Sequence, residues 1–216
     1  MTKDTSMKKI FALLLATALL AAPAWGYDQE DLDKLKATNT CIECDLTKAN
    51  LRGANLHGAN LHGAHLWKAN LRGADLREAS LGEASLGEAN LREADLREAS
   101  LGEANLEEAK LEGAKLTGAN LRRTDLERAN LTKADLIEAD LTKAKLAGAD
   151  LHYADLRFAN LRGANLMGAD LTKANLTWTN LTEAQLQAAK LEGANLNPTI
   201  FCRTIMPRGS INNDDC

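Results

Sequence analysis

The chain has 216 residues, a net charge of −4 and only 4% aromatic residues. That charge lacks the broad basic field that nucleic-acid binding requires. So few aromatics also exclude an ordinary large globular core, and leucine and alanine carry the apolar content instead.

Taken in chain order, the first element is a leader. Lys8 and Lys9 precede an apolar run from Ile10 to Ala22, and small residues follow at Ala22, Ala24 and Gly26. A basic, then apolar, then small-x-small order reads as a secretory signal peptide over residues 1–26. Cleavage is expected after Gly26, with cleavage after Ala24 as the alternative. The run is too short to span a bilayer comfortably, so no stable membrane insertion is expected once the leader is removed.

Residues 27–44 form the second unit. In "YDQEDLDKLKATNT", Asp28, Glu30 and Asp31 fall in a first helical turn and Lys34 and Lys36 near its end, an order that suits the helix dipole. Leu32 and Leu35 would cover whatever follows. A CxxC pair, Cys41 and Cys44, closes the unit.

From Leu46 to Leu196 every fifth residue is leucine, 31 in succession. The residue two before each leucine is alanine except at Cys44, Thr124 and Thr179, and the residue just before is Asn or Asp in 22 of the 31. On an α-helix five residues turn about 500°, so the leucines would wander round the circumference. On a single strand they would alternate between faces. The pattern buries its leucines together only if each pentapeptide forms one side of a coil. Leucine and alanine then point inward, three positions point outward, and the coils stack as a solenoid. Asn and Asp before leucine suit the corners, because they tolerate unusual backbone angles and satisfy the backbone locally.

These residues, as in "ADLTKANLTWTNLTEAQL", resemble the pentapeptide repeat proteins with consensus A-(D/N)-L-x-x over residues 45–200. The resemblance implies a right-handed quadrilateral β-helix, an all-β solenoid with four pentapeptides per coil and here about eight coils. The recurrence of "LREASLGEA" from Leu76 at Leu96 is consistent with a 20-residue coil. The closing segment "FCRTIMPRGSINNDDC" is similar to that of exported family members from photosynthetic bacteria and is read as a C-terminal cap over 201–216. Phe201, Met206 and Ile211 keep the five-residue phase.

About eight coils at about 4.8 Å each put Cys41 and Cys44 roughly 35–40 Å from Cys202 and Cys216. One four-cysteine metal site is therefore excluded. Export and an even cysteine count favour two disulfides, Cys41–Cys44 and Cys202–Cys216.

No catalytic constellation emerges, and the chain is read as a non-enzyme without metal or cofactor. His57, His62 and His65 fall on neighbouring sides and point outward round corners, so they are read as solvated surface. Outward aromatics are rare. Phe158 and Trp178 are 20 residues apart, with Ile137 below Phe158 on the same side and Tyr153 on the neighbouring one. Tyr153, Phe158 and Trp178 are thus the expected partner-binding residues of an exported scaffold in the periplasm or thylakoid lumen. Its partner is expected to be a protein and not a nucleic acid. The alternative is DNA mimicry, since some pentapeptide repeat proteins resemble duplex DNA and bind topoisomerases such as gyrase. An acidic belt would serve it, as residues 75–113 hold eleven acidic and four basic residues.

Overall fold

The computed structural model describes residues 26–216. The leader read over residues 1–26 lies outside this range except for Gly26. Among the described residues no helix is long and apolar enough to cross a membrane.

Helix α1 spans Gln29–Thr38. The Asp28 carboxylate starts it by accepting the N–H groups of Glu30 at 2.8 Å and Asp31 at 3.4 Å, which satisfies two of the orphan donors of a first turn. Asn39 ends it in the left-handed region at φ 54°, its N–H donating to Leu35 O. The buried stripe is Leu32 and Leu35, which pack on the first coil.

Beyond α1 the chain winds as a right-handed quadrilateral β-helix. The first side of the first coil starts at Cys41, the second at Leu46, the third at Leu51 and the fourth at Leu56. Single parallel bridges join every fifth residue to the residue 20 positions on, from Thr40↔Asn60 to Gln185↔Ile205. From Leu46 to Leu186 each leucine N–H of the repeat donates to the coil above, as Leu91 does to Lys110 O at 2.8 Å. The residue before leucine donates to the coil below, as Asn90 does to Ala69 O at 2.9 Å. Backbone polarity is thereby satisfied between coils while leucine and alanine fill the interior. From Leu61 to Leu186 each leucine of the repeat is at most 1% exposed.

The corners sit three residues on from where the sequence reading placed them. The residue two after each leucine holds the positive φ, between 54° and 68° from Glu43 to Gly193. The N–H after it donates back to leucine O, as Ala99 does to Leu96 O at 3.1 Å. That is the geometry of a type II turn. Asn and Asp before leucine occupy the bridge instead. Their Oδ1 accepts the N–H two residues on, as Asp170 does from Thr172 at 3.0 Å. These residues were assigned the right satisfaction of the backbone and the wrong torsion. A polar side chain signals both roles, and only the ladder decides which it performs.

Threonine replaces alanine inside because a carbonyl is within reach. Thr124 Oγ1 donates to Leu101 O at 2.9 Å, and Thr179 Oγ1 to Leu156 O at 2.7 Å. A buried hydroxyl is tolerated only with such a partner.

At the C-terminal end strand β1 (Thr204–Ile205) pairs antiparallel with β2 (Ile211–Asn212). The five-residue phase holds through Phe201 and Met206, which pack against the core. It fails at Ile211, which is 63% exposed. The turn at Met206–Ser210 reverses the chain, so Ile211 lies over Ile205 rather than inside a further coil. The sulfurs of Cys41 and Cys44 are bonded to each other at one end and those of Cys202 and Cys216 at the other.

Candidate functional site

The corner geometry determines what the surface offers. A side chain two after leucine stands on a left-handed residue at the outermost point of the square, so it projects into solvent. Phe158 and Trp178 occupy this position on adjacent coils of the fourth side, at φ 60° and 61°, and Tyr153 occupies it on the third side at φ 59°. Bulky residues rarely adopt this backbone region. Phe158 is 54% exposed, Trp178 53% and Tyr153 46%. Ile137 sits one coil beneath Arg157, not beneath Phe158, and is half-buried. The 20-residue step aligns 137 with 157, which displaces it by one position from the aromatic column.

The three aromatics are not equivalent. Tyr153 is engaged by its neighbours: the His152 ring stands edge-on to it at 4.3 Å, and Lys173 Nζ donates to its hydroxyl at 2.8 Å. Among the described residues that edge-on contact is the one aromatic pair. Phe158 and Trp178 are therefore adjacent in the ladder without stacking on each other. Arg157, beside Phe158, is held by Asp155 at 2.7 Å.

The acidic belt is largely neutralised. Lys68 pairs with Glu88 at 3.2 Å, Arg72 with Glu93 at 2.9 Å, Arg123 with Glu103 at 3.0 Å and Arg128 with Glu108 at 3.0 Å, while Arg92 holds Glu112. Arg77 and Arg97 clasp Asp75 and Asp95 beside them, each at 2.6 Å. The Arg77 guanidinium holds the Asp75 carboxyl down at about 2. The Thr172 hydroxyl, followed by that residue's own N–H, holds Asp170 at about 2. Each exposed pair adds little stability, but together they draw down the belt's net negative charge without removing it. Glu78 and Glu98, stacked at one corner, have no basic partner among the described residues.

The histidines do not converge. His57 Nδ1 lies 3.1 Å from Arg77 O, and His62 faces Glu83 at 4.0 Å. The tightest set of ligand-type side chains among the described residues is Asp31, Cys41 and Cys44. Its two sulfurs are joined to each other, and the Asp31 carboxylate accepts Asp45 N–H at 2.8 Å.

Trp67 and Met167 are among the exposed apolar groups that escaped the sequence reading. Trp67 lies between lysines, with Lys68 Nζ 4.0 Å and Lys48 Nζ 5.6 Å from its ring. The 20-residue step makes Lys48 and Lys68 neighbours in one column, and that was the available signal. Met167, 45% exposed, stands on the second side, across the solenoid from Phe158.

A ladder of single bridges at every fifth residue with inward leucine and alanine defines a pentapeptide-repeat solenoid. The comparisons agree. The sequence matches the family described as Pentapeptide repeats in 8 copies, over residues 41–77, 74–113, 109–148, 149–184, 159–197 and 179–208. The chain belongs to that family. It is similar to HetL of Nostoc sp. strain PCC 7120, a pentapeptide repeat protein involved in heterocyst differentiation regulation. That match has 36% identity, 86% of this chain and 99% of HetL covered, and a TM-score of 0.52. A pentapeptide repeat protein of the Arabidopsis thaliana thylakoid lumen is 31% identical over 44% of this chain and 67% of its own, with a TM-score of 0.44. No curated protein matches the sequence.

Proposed function

We propose that the protein is an exported, non-catalytic scaffold that binds a protein partner through the Phe158–Trp178 corner, with Tyr153 at its border. The observation that carries this reading is that two aromatics, each more than half exposed, occupy consecutive coils at one corner without stacking on each other. Exposed aromatics ringed by polar residues are typical anchors of a protein interface. The likeness to HetL, involved in a regulatory process, favours interaction over catalysis. Cysteines paired at both ends, together with the leader read in the sequence, favour the periplasm or a thylakoid lumen.

The test is a capture from the native envelope or lumen fraction with wild-type protein and a Phe158→Ser, Trp178→Ser variant. One partner retained by wild type and lost by the variant is expected. Equal capture by both baits rejects the corner. The topoisomerase reading retains only Glu78 and Glu98 as an unpaired acidic pair. Inhibition of gyrase supercoiling by the processed protein would revive it.

A further inference from the structure

Both ends of the solenoid are stepped, and the steps fall on the same two sides. At the N-terminal end α1 substitutes for a lower coil under the first and second sides only. Asp31 accepts Asp45 N–H at 2.8 Å, and Asp28 N–H donates to Asp45 O at 2.9 Å. Under the third and fourth sides the ladder stops. Among the described residues, the N–H and C=O groups of Asn50 and Asn55 and the carbonyl of Arg52 have no backbone partner. Beside α1 this leaves a notch of about 470 Å³. Leu51 and Leu56 form its floor, Leu35 its wall, and Lys36, Arg52 and His57 its rim. Arg52 has no acidic partner among the described residues, whereas Arg72 above it pairs with Glu93.

At the C-terminal end β1 and β2 again build upward over the first and second sides. The third and fourth sides end with Leu191 and Leu196 half-buried and the N–H groups of Leu191, Gly193 and Leu196 unpaired among the described residues. Strand β2 is the outermost strand of its pair and presents Ile211, 63% exposed. Asp214 beside it is exposed and has no ion pair among the described residues, while Asp215 is spent on Phe201 N–H at 2.7 Å.

We propose that the N-terminal notch is the seat for the C-terminal cap of a second copy, so that copies join head to tail. Three properties of the notch and the cap correspond. The notch is an open strand edge, and β2 is an uncovered edge strand of the kind that adds to one. The notch floor is leucine, and β2 carries an exposed isoleucine. The rim offers the unpaired Arg52 and the cap the unpaired Asp214, while Lys36 on the rim already lies 3.7 Å from Asp33 and the cap also exposes Arg208. The steps also match in shape. Copies stacked in register would set cap against cap. A half-turn about the long axis places β1 and β2 of one copy under the open sides of the next, and α1 of that next copy over Leu191 and Leu196. Both steps fill at one joint. The contact is heterologous and leaves a free notch and a free cap after every addition, so it extends as a line rather than closing.

Sedimentation velocity over a wide concentration range tests this on the purified protein. Two variants accompany it, Ile211→Asp at the cap and Lys36→Glu with Arg52→Glu at the rim. All three positions are exposed, and an unchanged thermal melt verifies each fold. Wild type is expected to grow through successive multiples of the monomer, less so at high salt. Each variant alone should remain a monomer. Mixed, they should form a dimer and stop, because one supplies a sound notch and the other a sound cap. A wild type that stays monomeric overturns the proposal and gives the notch to residues ahead of Gly26 or to a foreign strand. A closed dimer that survives Ile211→Asp, or a mixture that fails to pair, overturns it as well.

Discussion

The middle coils and the two ends use the same repeat and reach different outcomes. In the middle every backbone group between coils has its partner and Leu126 is 0% exposed. At the C-terminal end the same leucine in the same pentapeptide is only half-buried, as at Leu196. A solenoid residue therefore owes its burial to its neighbours above and below, and not to its own repeat. The caps are accordingly built from different residues: a charged helix, two disulfides and a reversing strand pair.

Truncating a leucine gives the largest separation between the regions. Leu126→Ala should cost about 2–5 kcal/mol, because a closed interior relaxes poorly around a cavity. Leu196→Ala should cost clearly less, and Glu127→Ala should fall within about 0.5 kcal/mol. Equal losses in thermal melts at all three positions would contradict the inward assignment. The next effect belongs to the C-terminal cap. Opening Cys202–Cys216, by Cys216→Ser, releases a loop for which chain entropy gives about 3 kcal/mol. The loss should appear as early amide exchange near β1 and β2, with the middle coils unchanged.

A smaller effect separates backbone from packing. A side chain at Gly113 would meet nothing within 4 Å, yet its φ is 64°. Gly113→Val should cost about 1–3 kcal/mol from backbone strain alone, and Gly113→Glu less, since Glu93, one coil beneath, holds the same corner at φ 59°. Matching melts for the two variants would discard strain as the cause. The smallest effect is acid sensitivity. Asp75 and Asp170 are depressed to about 2 in the fold, against about 3.9 when unfolded. Below about 3.9 the unfolded chain therefore binds more protons than the fold does. Stability from these groups is complete above that pH and declines as pH falls toward about 2. Asp75→Asn should flatten the Tm-versus-pH curve in that window, and an unchanged curve would show that the Arg77 pair contributes nothing.

Much of this architecture was legible beforehand. A five-residue period admits neither helix nor simple strand, so inward leucine and alanine followed from burial alone. Leu32 and Leu35 in α1 were legible from spacing and charge order. The aromatic corner was legible once a 20-residue coil was assumed, but the separate engagement of Tyr153 by His152 and Lys173 was not. Those contacts cross between coils and depend on side-chain reach.

By itself the sequence determined the repeat, the inward residues and the exclusion of one four-cysteine site. Each follows from local periodicity, which every pentapeptide states for itself. Only the tertiary structure decided which position carries the left-handed torsion, that most of the acidic belt is paired by bases reaching across coils, and that both caps cover the same two sides. These depend on which residues face each other one coil apart and on where the winding starts and stops. No single repeat encodes either.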